Sequence, residues 1–225
     1  MIQFLETSSR AKAYRSDEFQ REVGQILQRG RRDIRLFVDA LLKADRVPVV
    51  APGPQQDAAV ATEAARILSA VASRQIKAAS VVRVTTRILE MPHRCDVVDR
   101  QREAPAAPAP KRRGSFEDDL AEALRTTWEA SEGMGAGLPY PPNVTVTWND
   151  GGTVLYGRIQ DIRSKTTALY SNAAIPAGLD GTWDYVRTDA VGGTVFSALS
   201  LLGFAECVRD AVRADGDDDD GGNLA

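Results

Sequence analysis

Apolar residues recur at three- and four-residue spacing after Ser16, and this periodicity predicts an amphipathic helix to about residue 42. Its apolar positions are Phe19, Val23, Ile26, Leu27, Ile34, Phe37, Val38, Leu41 and Leu42. Asp17 and Glu18 follow Ser16, where acidic side chains suit the positive end of a helix dipole. Arginines cluster around Gly30, a residue that loosens helices, at positions Arg29, Arg31, Arg32 and Arg35. We therefore expect one long helix with a weak point near its middle.

The same periodicity predicts three further helices. One follows Asp57, which we expect to cap it, and has Val60, Ala64, Ile67, Leu68 and Val71 on one face. A second begins at Ser115, and Asp118 three residues later approximates a capping box. Its buried stripe is predicted to be Leu120, Leu124 and Trp128. The last follows Ala198 and presents Leu201, Leu202, Ala205, Val208 and Val212.

Alternation of apolar and polar residues predicts strands. The predicted strands are residues 47–51, 81–89, 143–148, 153–162, 167–171 and 182–187. The run VVRVTTRIL at 81–89 indicates a half-exposed strand, and Pro48 restricts residues 47–51 to a sheet edge. Asn149-Asp150-Gly151-Gly152 joins two alternating runs and predicts a β-hairpin.

The segment EAPAAPAPKRRG, residues 103–114, has three prolines and four alanines without a helical pattern, so we expect an extended linker. We accordingly predict a helix-rich domain (1–102), this linker, an α+β domain with the hairpin (115–214) and a disordered acidic tail (215–225). The predicted fold class is α+β. Its N-terminal region is helix-rich with one or two strands, and its C-terminal region is a small antiparallel β-barrel or sheet flanked by helices.

Charge is divided unequally along the chain. Residues 1–113 contain 21 Lys and Arg against 13 Asp and Glu, a net charge of +8, whereas the remainder contains 7 against 18, a net charge of −11. This division indicates attraction between the halves, head-to-tail self-association, or a basic half that faces an anionic partner. Chance and an acidic tail are the alternative explanation.

Lys111, Arg112 and Arg113 form a compact basic cluster at the end of the linker. Such a cluster contacts phosphates, an anionic ligand or nucleic acid, or is solvated or paired within the chain. Against nucleic acid, the net charge is −3, aromatic residues are 6%, and no known nucleic-acid-binding motif is visible.

Nothing in the sequence marks export or membrane insertion. The N-terminus lacks the order of a signal peptide, and the uncharged stretch at residues 190–205 is shorter than the roughly 20 residues that span a bilayer. That stretch instead predicts a strand, a turn and a helix. We read Cys95 and Cys207 as free thiols and expect a cytoplasmic protein.

Candidate catalytic groups are sparse. His93 is the only histidine, and with Cys95 nearby it makes neither a zinc site nor a recognisable nucleophile pair. The glycines at 133–137 follow a helix, whereas phosphate-binding loops follow a strand. Four carboxylates lie in or near the sheet region, without metal-ligand spacing: Asp161, Asp180, Asp184 and Asp189. We predict no catalytic residues, no cofactor and no metal.

Residues 144–181 resemble the PilZ domain, a small β-barrel that in many bacteria binds cyclic di-GMP. Gly157, Asp161 and the apolar strand that follows match its Gly-x-x-x-Asp-x-Ser-x-x-Gly segment, but Arg163 and Thr166 replace the Ser and the last Gly. The upstream RxxxR motif is not found directly before the first strand. The resemblance implies a degenerate barrel that does not bind nucleotide.

Six residues are therefore candidates for contact with a ligand or partner: Lys111, Arg112, Arg113, Arg158, Asp161 and Arg163. We expect a non-enzymatic interaction module that acts as an adaptor or regulator within a bacterial complex, through a protein partner or self-association. The alternative is a structural subunit of a larger assembly such as a phage particle. An enzyme that uses carboxylates near the hairpin is the third hypothesis.

Overall fold

The computed structural model describes residues 13–47, 56–75, 77–98, 114–132, 141–148, 155–172 and 192–217. The elements in chain order are α1 (Asp17–Ile26), α2 (Arg31–Lys43), α3 (Gln56–Ala72), α4 (Ala78–Leu89), β1 (His93–Val98), α5 (Phe116–Glu132), β2 (Asn143–Trp148), β3 (Leu155–Asp161), β4 (Thr166–Ser171), β5 (Gly192–Phe196) and α6 (Ala198–Asp217). Helices and an antiparallel sheet occur together, which confirms the predicted α+β class.

The five described strands form one sheet in the order β1-β4-β3-β2-β5, and every neighbouring pair is antiparallel. The predicted hairpin is confirmed, because Val146 of β2 lies opposite Gly157 of β3 and the register continues to Trp148 and Leu155. The strand predicted at 167–171 is β4. The strand, turn and helix predicted for residues 190–205 are β5 and α6, separated by Ser197.

The strand predicted at residues 81–89 is wrong, because this segment is the helix α4. Val81, Thr85 and Ile88 are buried at helical spacing, whereas Arg83 and Arg87 are exposed. Burial of the first three side chains against the other helices outweighs the preference of β-branched residues for strands. The strand of this region is instead β1, which the alternation pattern did not predict.

The long N-terminal helix is two helices, α1 and α2. The chain turns at Gln28, whose φ is +52°, and the amide of Arg29 donates to the carbonyl oxygen of Gly24 at 2.7 Å. A Cβ on Gly24 would lie 2.8 Å from the Arg29 carbonyl oxygen, so this turn requires glycine at position 24. Gly30 then occupies the N-cap of α2. The predicted weak point is therefore a complete break.

The start of α5 confirms the predicted cap. The Oγ of Ser115 accepts a hydrogen bond from the Asp118 amide at 3.2 Å and donates to the Asp118 carboxylate at 2.6 Å. The predicted stripe of Leu120, Leu124 and Trp128 is buried. At the other predicted cap, α3 already begins at Gln56, so Asp57 is inside the helix.

Some predictions fall outside the described residues. These are most of the strand at 47–51, the linker before Gly114, the glycines at 133–137, the turn at 149–152 and the strand at 182–187. The acidic segment is divided: α6 continues to Asp217, so residues 215–217 are helical rather than disordered, and residues 218–225 are not described.

Helix α3 lies at the centre of the helical layer and contacts α2, α4, α5 and α6. Ala64, Leu68 and Val71 are fully buried in it. The core cluster combines these residues with Leu120 and Val144 from beyond the linker, and β1 pairs with β4. The boundary predicted at 103–114 therefore separates two segments of the chain that share one core.

Two carboxyl groups are buried in this core, and each accepts a hydrogen bond from a buried tyrosine. The hydroxyl of Tyr14 donates to Glu63 at 2.7 Å, and the hydroxyl of Tyr170 donates to Asp119 at 2.8 Å. A buried carboxyl group without such a partner is costly. These hydrogen bonds join elements that are far apart in the chain. They therefore favour one packing arrangement of the helices and the sheet.

We predict that Gly157→Ala destabilises the fold by about 1–3 kcal/mol, because overpacking forces buried neighbours to move. The added Cβ would lie 2.7 Å from Met91 Cε and 2.9 Å from the Phe116 ring. The control is Gly203→Ala in α6, whose added Cβ meets Ile26 at 3.4 Å and which gains helix propensity. Urea unfolding of both variants measures the difference. Equal stability of the two variants would contradict the packing described for β3.

Candidate interaction surfaces

The predicted site residues are only partly described. Lys111, Arg112 and Arg113 lie outside the described residues. Arg158 is on β3, Asp161 ends that strand, and Arg163 is exposed in the turn that follows. Asp161 Oδ1 accepts a hydrogen bond from the Ser164 amide at 2.7 Å, so this carboxylate shapes the turn between β3 and β4.

Arg158 and Asp161 belong to opposite faces of the sheet. Side chains alternate along a strand, so Asp161 shares the face of Ile159, which packs in the core. Arg158 lies on the other face, between Thr145 of β2 and Leu169 of β4. The structure therefore does not bring the predicted Arg158 and Asp161 together in one pocket. Of the four candidate carboxylates, Asp161 alone falls among the described residues.

Two arginines of the cluster around Gly30 make ion pairs. Arg31 pairs with Asp17 of α1. Asp39 forms ion pairs with two arginines, Arg15 at 2.9 Å and Arg35 at 3.8 Å. These contacts hold α1 and α2 together at the surface. Two of the four arginines in this cluster are therefore paired within the chain.

A different basic surface is formed by α4. Arg83 and Arg87 are exposed one helical turn apart, and neither makes an ion pair with a described residue. Like charges at this spacing weaken a helix by about 0.2–0.5 kcal/mol. The two guanidinium groups therefore remain in water, available to an anion, at a small cost to α4.

Arg94 of β1 extends this surface. Its Nε donates to the carbonyl oxygen of Ser171 at 2.9 Å, and the carbonyl oxygen of Arg87 accepts from Asn172 Nδ2 at 3.0 Å. Both arginines thus approach the end of β4. We call Arg83, Arg87 and Arg94 the α4 basic surface. The strand prediction missed it, although the four-residue spacing of the two arginines was the available signal.

Three large apolar side chains are exposed among the described residues. They are Ile162 at 42%, Val195 at 68% and Leu199 at 80% of full exposure. Ile162 lies in the turn after β3, whereas Val195 is on β5 and Leu199 is three residues beyond the end of that strand. Single exposed apolar residues are ordinary, so only the last two, close together in the chain, define a surface of interest.

His93 takes part in sheet packing. Its ring lies edge-on to Tyr170, with centroids 5.5 Å apart, and its Nε2 is 3.4 Å from Asp96 Oδ2. In the described part of the chain, no three His, Cys, Asp or Glu side chains are grouped to hold a metal ion. Both cysteines are free.

Burial makes the thiol of Cys207 a weak acid. Desolvation within α6, followed by the nearby carboxylate of Glu22, raises the pKa of Cys207 to about 12. The Sγ–H donates to Glu22 Oε2 at 3.6 Å. The reactive thiolate is therefore rare at neutral pH. Cys207 lies between α6 and α1, where its protonated thiol behaves as a small apolar group.

Comparison with known proteins gives no relative: no protein-family model, curated protein or solved structure matches the chain. Each helix in the described ranges is too short or too polar to cross a membrane.

We predict that Cys207 resists alkylation by iodoacetamide at pH 8. With a pKa of about 12, its thiolate would be present in about one molecule in ten thousand, far less than in the unfolded chain. In a Cys95→Ser background, mass spectrometry should show labelling at least about a hundredfold slower in native protein than in urea. Equal rates would contradict the desolvated environment of this thiol.

Proposed function

We propose that this chain is a non-enzymatic interaction module that acts as an adaptor or regulator in a bacterial complex by binding an acidic protein partner. The observation that carries the proposal is the α4 basic surface. Arg83 and Arg87 have exposed guanidinium groups that make no ion pair with any described residue, whereas Arg31 and Arg35 are paired with aspartates. An exposed cluster of one sign steers a partner of the opposite sign and fixes its register.

An acidic protein suits this surface better than nucleic acid does. The chain as a whole carries a net charge of −3, so it has little long-range attraction for a polyphosphate. Aromatic residues are only 6% of the chain, which leaves few rings for base stacking. A folded partner can place a local acidic patch against the α4 basic surface. Its contact then excludes the acidic residues elsewhere on this chain.

The rigid setting of the surface supports a recognition role. Val81 and Ile88 anchor α4 in the core, and Arg94 is held by its hydrogen bond to β4. Charged groups on such a preorganised element lose little freedom when a partner binds. The α4 basic surface is therefore suited to specific contact.

The test compares affinity capture with the wild-type chain and with the Arg83→Glu/Arg87→Glu variant at low ionic strength, with captured proteins identified by mass spectrometry. We expect one acidic partner whose dissociation constant, measured with purified components, rises at least about tenfold in the variant, because like charges are then juxtaposed. Binding of the wild type should weaken as salt is added.

Two matched controls separate binding from folding. Arg21→Glu makes the charge change of one of the two α4 substitutions at an exposed site of α1 and should leave partner binding unchanged. Arg83→Glu alone places an acid four residues before Arg87, an arrangement that stabilises helices, so unfolding should not be easier. Capture of the same partner by wild type and double variant at equal affinity would refute the proposal.

The PilZ resemblance leads to a separate proposal, that this chain does not bind cyclic di-GMP. Arg163 and Thr166 stand where the motif has Ser and Gly, and Arg158 and Asp161 lie on opposite faces of the sheet. The arrangement described here offers the nucleotide no shared pocket from these two side chains. Calorimetric titration with cyclic di-GMP should give only the heat of dilution. A saturable isotherm would refute this proposal.

A further inference from the structure

The two edges of the sheet differ in how they are protected against pairing with another strand. An exposed strand edge presents unpaired amide and carbonyl groups, and proteins protect such edges with charges, prolines or β-bulges. At the edge strand β1, a bulge interrupts the register between His93 and Cys95, and Arg94 and Asp96 are exposed. That edge carries two of the three protective devices.

The opposite edge, β5, carries none of them. Its sequence, GGTVF, contains no charge and no proline, and its pairing with β2 runs from Gly192 to Phe196 without a bulge. The wider segment, residues 190–205, has no charged residue. Among the described strands, none lies beyond β5. We call this strand, with exposed Val195 and Leu199, the β5 edge.

From this contrast we propose that the β5 edge pairs antiparallel with the β5 edge of a second copy of the chain, across a two-fold axis. The described strands of the two sheets would then form one continuous sheet. In a two-fold interface residue i of one copy contacts residue j of the other and the reverse, so an edge that carries charges of one sign would repel itself. The neutral stretch from 190 to 205 avoids such repulsion.

The side chains of β5 suit this pairing. With the axis at Thr194, Val195 lies opposite Gly193 of the second copy, and both residues belong to the face away from the core. A Cβ at position 193 would lie 3.0 Å from Thr147 Cγ2 and 3.1 Å from the Val146 carbonyl oxygen, so this position favours glycine. The same bare position leaves room for the exposed Val195 of the second copy.

The central residue of the strand is anchored from within. Thr194 points to the core, where its Oγ1 donates to the carbonyl oxygen of Ala72 at 3.5 Å. Phe196 is buried beside Val144 on the same face. The outer edge of β5 is therefore presented by a strand that the core already holds in place, as strand addition requires.

The first test is the mass in solution, measured by light scattering from low to high micromolar concentration. The wild-type chain should give about twice 24.3 kDa, and Val195→Lys should give 24.3 kDa because the two-fold axis brings the new charges together. Val195 is already exposed, so the substitution leaves the monomer folded, as circular dichroism would verify. Ile162→Lys, an exposed apolar residue in the turn after β3, is the control and should stay dimeric.

The second test reads the register directly. Centred on Thr194, the pairing places the two Val195 Cα atoms roughly 8 Å apart, from a strand spacing of about 4.8 Å and a rise of about 3.4 Å per residue. Val195→Cys in a Cys95→Ser/Cys207→Ser background should therefore form a covalent dimer with a short bismaleimide, and Ile162→Cys in that background should not.

The outcomes distinguish this inference from the proposed function. A wild-type chain that is monomeric throughout, or a dimer that survives Val195→Lys without cross-linking at position 195, overturns the β5 pairing. Arg83→Glu/Arg87→Glu should remain dimeric, since α4 is not part of the β5 edge. Loss of partner binding in that variant thus bears on the α4 basic surface alone.

Discussion

Burial of α3 is the constraint on which the structure depends. This helix is covered by α2 and α4, which flank it in the chain, and by α5 and α6, which come after the linker. Small residues such as Ala61, Ala64 and Ala65 are buried in it and let neighbouring helices approach closely. Arg66, at its half-buried surface, pairs with Glu117 of α5 at 2.6 Å. The chain therefore needs both of its segments to enclose one helix.

The chemistry of the surface follows from this packing. Once Val81 and Ile88 turn one side of α4 toward the core, Arg83 and Arg87 have to face water. Among the described residues these two arginines make no ion pair, unlike Arg31 and Arg35 on α2.

Sequence reasoning succeeded where the determinants are local. The hairpin of β2 and β3 was predictable from alternation and turn residues, and the cap of α5 from Ser115 and Asp118. It failed for residues 81–89, because both helical and strand periodicity place Val81 and Thr85 on one side. Only tertiary packing decides between helix and strand in this segment. β1 was not predictable because its partner, β4, is distant in the chain. The α4 basic surface depended on that same helix and was missed with it.

The pairing of β1 with β4 has a consequence for synthesis. β1 is complete at residue 98, but its partner strand ends only at Ser171, and two of the helices that cover α3 also come late in the chain. A nascent chain that has reached the linker thus exposes an apolar helix and an unpaired strand, the kind of surface that chaperones hold. The fold is consequently completed only after β4 and α6 have been synthesised, and a chain truncated before β4 is expected to be prone to aggregation.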